Sequence, residues 1–387
     1  MRTWRSAVVA LLLLMGVLAP VGAASGASTE SAAPESSRTV DAPTRTGPYE
    51  VGRHTVTMPD PHRTGRTLDV DIWYPSDARQ VRDKPKSEFD LLVTTAESPL
   101  AYASPGVSRD GPFPLVVFSH GSGGIRFQSW FLTEFLASHG YVVAAPDHAG
   151  NTALDGLFGT TTPFAVSARN RPLDVSLVID RMLQRNGNPH SRFEGTIDPA
   201  RIAVIGHSFG GFTALAMAAG HADVPPDPRV RAIVPIAPAS GPFSDAQLES
   251  ITVPMLLLGG TSDTTTPIVA NTTRPWERAS SKPRYRVDVM RAGHTSFTNI
   301  CDLVDILIDA GLPPELLEAL LANAADGCGP EFLPIERVQK ITNLYTLAFL
   351  RWALDEDEGY LKYLTPGYVR SKNLPVTFFR KGGAVSP

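Results

Sequence analysis

Short apolar runs alternate along the chain with longer segments of mixed character. The apolar runs have the length and composition of buried strands, and helical segments separate most of them. The predicted strands are 115–119, 141–146, 202–205, 230–236, 254–259 and 285–290. The predicted helices are 127–138, 171–184, 209–219 and 267–279. Strands that alternate with helices in this way predict an α/β fold with a largely parallel sheet and right-handed crossovers.

An antiparallel pair of strands is predicted at the edge of this sheet. Segments 51–58 and 67–74 alternate apolar and polar residues, as strands with one solvated face do. Asp69 and Asp71 fall on the same face of the second segment. We expect that face to be solvated, so the two aspartates are not a candidate catalytic pair.

Residues 206–210, Gly-His-Ser-Phe-Gly, follow directly after the predicted strand 202–205. Gly-x-Ser-x-Gly between a strand and a helix is the pattern of a nucleophile elbow, a sharp turn that presents the serine. Glycine is needed two residues on either side, where a Cβ would clash. The helix that begins at Phe209 points free N–H groups toward the charge that develops in acyl transfer. Ser208 is therefore the candidate nucleophile.

A catalytic serine needs a base and an acid, which follow an elbow serine in the order acid, then histidine. Two histidines lie after Ser208. His221 is about 13 residues farther along the predicted helix, which carries it roughly 20 Å away. His294 lies in a loop at the carboxyl end of the predicted strand 285–290. We assign His294 as the base; the alternative is an ordinary surface-loop histidine.

The acid is expected at the end of the strand between nucleophile and base. Asp263 follows the predicted strand 254–259, which places it where it can orient His294. Asp288 is the competing residue. It lies in the middle of a predicted strand, so its side chain would point sideways into the sheet. The pattern favours Asp263.

The predicted strand 115–119 leads into residues 120–124, His-Gly-Ser-Gly-Gly. In this plan one oxyanion donor follows the nucleophile and the other lies in an earlier glycine-rich loop. We therefore predict the N–H groups of Ser122 and Phe209 as the oxyanion hole. The loop could instead be a flexible turn or a phosphate cradle, but a phosphate loop would carry a following lysine. His120 is expected to brace the loop rather than act as a second base.

Composition limits the classes of function. With 387 residues and 43% hydrophobic content, the chain can bury a large core in one or two domains. A net charge of −4 without basic clusters argues against a nucleic-acid partner. No His or Cys cluster has the spacing of metal ligands, and no cofactor is implied.

The N-terminus has the features of a secretory signal peptide, residues 1–27. A basic start is followed by an apolar stretch and small-residue cleavage sites after Ala23 and Ala27. The alternative is an uncleaved anchor helix. Residues 28–48 are rich in Ser, Ala, Pro and Thr and are predicted to be a disordered leader, so the folded domain would span 49–387. No later apolar run is long enough to span a bilayer.

The predicted secretion bears on the state of the two cysteines, because secreted proteins meet an oxidising environment. An even count in an oxidising compartment predicts one disulfide between Cys301 and Cys328, the alternative being two free buried thiols. The enclosed insertion, 301–330, has two predicted helices with one broad apolar face. That face either covers the sheet edge beside a long C-terminal helix, 335–354, or forms a wall or lid over the site.

Several motifs together resemble a known family. They are 118–121 (Phe-Ser-His-Gly), 139–148, 171–175, 206–211 and 293–294, within about residues 50–300. The chain resembles secreted α/β hydrolases of the platelet-activating-factor acetylhydrolase and dienelactone-hydrolase-like group. The resemblance implies an α/β-hydrolase fold with Ser208, Asp263 and His294 as the triad. Two departures are a serine where dienelactone hydrolases use cysteine, and Ser122 where acetylhydrolases typically carry leucine.

These observations predict a secreted serine carboxylic ester hydrolase that acts on lipid-like or short-acyl esters through an acyl-enzyme. A polyester hydrolase or lipase with an open groove is the alternative enzyme. A catalytically inactive hydrolase fold acting as a binding module is the alternative from another class, and its sign would be a broken triad. We expect a monomer without nucleic-acid partner or stable membrane insertion, in transient contact with lipid surfaces.

Overall fold

The structure, a computed structural model, describes residues 42–382. The predicted signal peptide, residues 1–27, lies outside the described residues, as does the predicted leader up to residue 41. Between residues 42 and 382, no helix is both long enough and apolar enough to cross a bilayer.

The last part of the predicted leader, residues 42–48, packs against the domain. Ala42–Thr44 form a 3₁₀ turn, and the Gly47 amide donates to Ser138 Oγ at 2.9 Å. These residues therefore contact the end of a neighbouring helix.

The described part of the chain contains one sheet of eleven strands. The strands are β1 (Glu50–Pro59), β2 (Thr67–Ser76), β3 (Lys86–Asp90), β4 (Thr95–Ala103), β5 (Phe113–Ser119), β6 (Val142–Pro146), β7 (Ile197–His207), β8 (Val230–Ile236), β9 (Met255–Gly260), β10 (Arg284–Val289) and β11 (Val376–Lys381). Their order is β11-β10-β9-β8-β7-β5-β6-β2-β1-β4-β3. Strands β5 to β10 are parallel to one another, and β2 and β11 flank them antiparallel. The predicted α/β fold with a mostly parallel sheet is confirmed.

Helices connect most of the parallel strands. The helices are α1 (Ala78–Val81), α2 (Trp130–Ser138), α3 (Ala153–Phe158), α4 (Phe164–Asn186), α5 (Phe209–Ala219), α6 (Asp245–Glu249), α7 (Arg274–Arg278), α8 (Ile300–Asp309), α9 (Pro314–Ala324), α10 (Ile335–Ala353) and α11 (Pro366–Lys372). A π-helical turn, Val269–Thr273, precedes α7, so the single helix predicted over 267–279 is two short elements.

Alternate residues of the central strands face two different cores. In β5, Leu115 and Val117 belong to the core formed with α4 and α5, whereas Val116 and Phe118 belong to the core formed with α2 and α10. Helices on both faces explain why the strand sequences are continuous apolar runs. The carboxyl ends of β5, β7, β9 and β10 meet at one edge of the sheet, where the loops that follow them can form a site.

The pair β1 and β2 is antiparallel as predicted, but it does not form the sheet edge. Strand β4 pairs with β1 in parallel, and β3 pairs with β4 antiparallel. The buried positions of these added strands include Ser87, Ala96 and Ser98. Apart from Phe89, which is fully buried in β3, small or polar residues occupy the inward positions, so the hydrophobic pattern carries little strand signal there.

The prediction that the face of β2 with Asp69 and Asp71 is solvated is wrong for Asp71. Asp69 is exposed, but Asp71 is fully buried and lies 3.0 Å from Arg53 Nε and 3.2 Å from Arg126 Nε. The two arginines replace water around the carboxylate, which makes its burial possible.

Candidate active site

Ser208 stands on a strained turn between β7 and α5. Its backbone has φ 57° and ψ −116°, a conformation that a non-glycine residue adopts only when its surroundings enforce it. The Ser208 amide donates to the carbonyl of Ile236 in β8 at 2.9 Å, which anchors the turn to the sheet. The side chain is partly exposed at the carboxyl edge of the sheet.

The two elbow glycines are required by close packing. A Cβ on Gly206 would lie 2.2 Å from the Gly210 carbonyl oxygen, and a Cβ on Gly210 would lie 1.8 Å from the Ser119 carbonyl oxygen. Any side chain at either position would force strand β7, the helix and β5 apart. The local geometry is therefore the one that the Gly-x-Ser-x-Gly pattern predicts.

His294 and Asp263 meet across neighbouring loops at this edge. Asp263 follows β9, His294 follows β10, and His294 Nδ1 lies 2.9 Å from Asp263 Oδ2. Both side chains are buried. Because Nδ1 is engaged by the carboxylate, Nε2 is the ring nitrogen left for a reacting group. We call Ser208, His294 and Asp263 the elbow set.

Thr266 fixes the carboxylate that faces His294. Its amide donates to Asp263 Oδ1 at 2.6 Å, and its hydroxyl lies 2.8 Å from Oδ2. The hydroxyl also lies 3.0 Å from His294 Nδ1. Thr266 is not among the residues predicted from the sequence, although aspartate side chains often accept hydrogen bonds from backbone groups a few residues away.

Asp288, the competing acid, has a different partner. It lies in β10, and its carboxylate accepts from Arg286 Nε at 2.7 Å in a buried ion pair. The structure therefore brings Asp263, and not Asp288, to His294.

Both predicted oxyanion donors adjoin the elbow. A Cβ on Gly121 would lie 3.5 Å from the Ser208 Cβ, so the glycine-rich loop passes directly beside the elbow serine. Ser122 is exposed at the tip of this loop. Phe209 is the first residue of α5, so its N–H has no helical carbonyl to bond. Asn151 Nδ2 lies 3.3 Å from Ser122 Oγ and steadies the loop.

Arg171 of α4 supports the same loop from beneath. It is fully buried and donates to the carbonyls of His120 at 2.6 Å and Gly121 at 2.9 Å. Its guanidinium also lies 4.5 Å from the centre of the Phe209 ring. Burial lowers the pKa of Arg171 to about 9, against the opposing effect of Asp174. In the sequence, Arg171 stands out only as part of a family motif, and its role in holding the loop is not predicted.

His207, the residue before the elbow serine, links the loops on both sides of the site. Its Nε2 lies 2.9 Å from the His294 carbonyl oxygen, and its Nδ1 lies 3.1 Å from Gln128 Nε2. Gln128 Oε1 in turn accepts from the Gly121 amide at 2.9 Å. Burial is the main cause that lowers the pKa of His207 to about 3, and the nearby His294 lowers it further. A neutral ring that donates from Nε2 and accepts at Nδ1 fits both contacts.

The sequence is similar to those of known ester hydrolases. A family model described as PETase, PET hydrolase-like, matches residues 116–306. A cutinase of Thermobifida fusca (strain YX) is 24% identical over 320 residues, which cover 79% of this chain and 86% of that protein. Cutinase est1 of Thermobifida alba is 28% identical over 260 residues, 67% of each. A platelet-activating factor acetylhydrolase of Cavia porcellus is 27% identical over 157 residues, 32% of this chain and 36% of that protein.

The chain has the α/β-hydrolase fold. The matched region 116–306 includes the elbow set and the glycine-rich loop. The predicted likeness to platelet-activating-factor acetylhydrolases is confirmed, and the likeness to cutinases covers more of the chain. By fold and relatives the hydrolase is a carboxylic ester hydrolase.

The insertion after His294 is closed by a disulfide. Cys301 and Cys328 are bonded as predicted, with their Cα atoms 5.8 Å apart. Leu303 of α8 is buried in the core that α10 shares, whereas Ile308 and Leu321 are exposed. The burial of Leu303 favours the expectation that this part of the insertion covers the core beside the C-terminal helix.

The hydrolase contains a second set of a serine, a histidine and an aspartate that contact one another. Ser119 Oγ lies 2.8 Å from His148 Nε2, and His148 Nδ1 lies 2.9 Å from Asp174 Oδ2. All three side chains are fully buried. His148 also positions His120, whose Nε2 accepts from the His148 amide at 3.1 Å. We call Ser119, His148 and Asp174 the buried set.

Within residues 42–382, no three His, Cys, Asp or Glu side chains are grouped so that they could hold a metal ion.

Proposed function

We propose that this hydrolase is a secreted serine esterase that cleaves lipid-like or short-acyl esters through Ser208, His294 and Asp263. The observation that carries the proposal is the contact of 2.9 Å between His294 and Asp263, at the sheet edge where the elbow presents Ser208. A nucleophile, a base and an orienting acid in this order form the machinery of acyl transfer.

In the proposed reaction, His294 Nε2 takes the Ser208 proton as Oγ attacks the ester carbonyl. The N–H groups of Ser122 and Phe209 stabilise the oxyanion of the tetrahedral intermediate. His294 then gives the proton to the departing alcohol, which leaves an acyl-serine. Water, deprotonated by His294, hydrolyses the acyl-serine and releases the carboxylic acid.

An exposed apolar surface beside the oxyanion donors supports an apolar acyl group. Phe158 and Phe164 are 59% and 53% exposed, and the ring of Phe164 stacks on Phe209 with 4.9 Å between centroids. Leu154 and Val166 add further exposed apolar area on α3 and α4. An apolar surface that starts at the oxyanion hole would contact the acyl or alcohol chain of a bound ester.

The second candidate is a polyester hydrolase. The PET hydrolase-like match and the cutinase relatives favour it, because they span most of the region that holds the site. An exposed apolar surface would suit a polymer film as well as a lipid.

A substrate series separates the candidates. We expect higher kcat/KM for esters of medium acyl length than for acetyl esters, with acid released from emulsified lipid faster than from a polyester film. The variant Phe158→Ser with Phe164→Ser should raise KM for the longer esters, while Leu92→Ser, an exposed leucine at the far edge of the sheet, should not. Faster release from the film would favour the polyester hydrolase, and no release from any ester would refute both.

Secretion remains part of the proposal, with residues 1–27 as the signal peptide and the hydrolase domain after the leader. The cleaved N-terminus of protein recovered from culture medium would test it. Retention of all product in the cell would contradict it.

A further inference from the structure

We propose that Asp326, in the insertion closed by the disulfide, is a positioning residue that holds the two loops carrying Asp263 and His294 in register. The inference rests on the proposed roles of these two residues as acid and base. It makes the insertion a support of the catalytic pair in addition to a cover for the core.

One carboxylate oxygen of Asp326 binds the loop that carries the acid. Oδ2 accepts from the amides of Thr264 at 3.1 Å and Thr265 at 2.9 Å. It also accepts from the hydroxyls of the same two threonines, at 2.8 and 2.7 Å. Thr264 follows Asp263 directly, so this oxygen fixes the backbone from which the acid projects.

The other groups of Asp326 bind the loop that carries the base. Oδ1 accepts from the His294 amide at 3.1 Å. The Asp326 carbonyl oxygen accepts from the Thr295 amide at 2.7 Å and from the Thr295 hydroxyl at 2.9 Å. One residue therefore joins both loops, although it lies 62 residues from Thr264 in sequence.

The charge of Asp326 and its close packing strengthen its contacts with the two loops. Burial raises the pKa of Asp326, but hydrogen bonds from Thr265, His294 and Thr264 outweigh it and the pKa is lowered, so the residue is a carboxylate at neutral pH. A Cβ on Gly293 would lie 2.7 Å from the Asp326 carbonyl oxygen. The segment thus packs directly against the residue before the base.

The disulfide fixes Asp326 from the other side. Cys328 lies two residues farther along and is bonded to Cys301 of α8. Helix α8 is tied to the domain just before its start, because the Asn299 amide donates to the Gln128 carbonyl at 2.9 Å and Asn299 Oδ1 accepts from the Phe131 amide at 3.1 Å. Asp326 therefore projects from an anchored segment, as a residue that sets the position of two others must.

The test compares Asp326→Ala with Asp302→Asn in the full secreted chain, with p-nitrophenyl butyrate as substrate. Asp302 lies in the same insertion and accepts from Asn299 Nδ2 at 2.7 Å, so its variant controls for loosening of the insertion. We expect Asp326→Ala to lower kcat about 100-fold with little change in KM, because a small displacement of catalytic groups has an effect of this size. Asp302→Asn should leave kcat unchanged.

A folded Asp326→Ala enzyme with wild-type kcat would overturn the proposal, and so would an equal kcat loss in Asp302→Asn. If Asp326→Ala does not fold, Asp326→Asn decides by the same criterion, since it keeps the shape but has one acceptor oxygen in place of two.

A double variant separates this inference from the proposed function. In an Asp263→Asn background, Asp326→Ala should cause little further loss, because residues that act as a unit are not additive. A full additional loss would overturn the positioning role. Wild-type activity of Asp263→Asn alone would instead refute the assignment of the acid, on which the proposed function depends.

Discussion

The elbow set and the buried set consist of the same three residue types, and the histidine–aspartate contact is 2.9 Å in both, yet their surroundings differ. In the buried set, Ser119 is the last residue of β5 and has no exposed surface, whereas the elbow serine is partly exposed on a strained turn. No substrate carbonyl can reach Ser119 in this arrangement. Access and backbone geometry, more than the three side chains, make an acyl-transfer site.

Electrostatics separates the two sets as well. Arg66 donates to Asp174 at 2.5 Å, and the Arg171 guanidinium lies 3.3 Å from Ser119 Oγ. Burial raises the pKa of Asp174, but hydrogen bonds from His148 and Arg66 outweigh it and bring the pKa to about 2. Burial and Arg171 lower the pKa of His148 to about 4. A histidine held neutral among arginines fits a structural role, here the support of the glycine-rich loop.

The largest expected effect comes from the elbow serine. Ser208→Ala should reduce kcat on the order of 10⁶-fold, because no other group can form the acyl-enzyme. Its melting temperature should stay within a few degrees of the wild type, since the hydroxyl is partly exposed. Hydrolysis of a soluble short ester and thermal unfolding measure the two quantities.

Ser119→Ala is the matched control for that variant. It removes a buried partner of His148, so we expect a loss of stability of about 1–3 kcal/mol with most of the activity retained at low temperature. If Ser119→Ala abolished hydrolysis while Ser208→Ala did not, the roles given to the two sets would be reversed.

The next effect concerns the acids near the base. Asp263→Asn should keep the fold but lower kcat on the order of 10⁴-fold, because an amide favours the wrong tautomer of His294. Asp288→Asn changes a carboxylate of similar burial that pairs with Arg286, and it should act on stability more than on kcat. A greater loss of kcat in Asp288→Asn would show that the assignment of the acid is wrong.

The smallest effect is on the pH dependence of stability. The pKa of His148 is about 4 in the fold, below the ordinary value of 6.5, so the unfolded chain binds more protons between these pH values. Stability should therefore fall as the pH drops from 6.5 toward 4, by up to about 1.4 kcal/mol per pH unit from this residue.

His148→Gln should flatten the dependence of the melting temperature between pH 7 and pH 5. The exposed His62→Gln serves as the control for loss of a histidine. An unchanged slope in His148→Gln would argue against a neutral buried His148.

The sequence allowed the central strands, α5, the elbow and the candidate triad to be predicted, because each depends on a local pattern. A run of apolar residues specifies a buried strand, and Gly-x-Ser-x-Gly specifies a turn whose clashes involve residues a few positions apart. The acid and base could be assigned because loops after parallel strands meet at one edge.

Residues whose roles depend on distant partners could not be predicted in this way. Arg171 touches His120 across 51 positions, and His207 touches His294 across 87. The alternating pattern of its strand predicts that Asp71 is solvated, but the residue is buried because arginines from two other segments surround it. Strands β3 and β4 add to the sheet through backbone pairing, which their inward residues do not reveal because all but Phe89 are small or polar.

The sequence by itself determined the class of fold, the order of its central strands and the nucleophile elbow, since these follow from local hydrophobic period and backbone sterics. The tertiary structure alone decided which serine-histidine-aspartate set is accessible, because access depends on what packs over each strand end. It also decided that Asp326 joins the loops of acid and base, since hydrogen bonds between segments far apart in the chain leave no periodic trace in sequence.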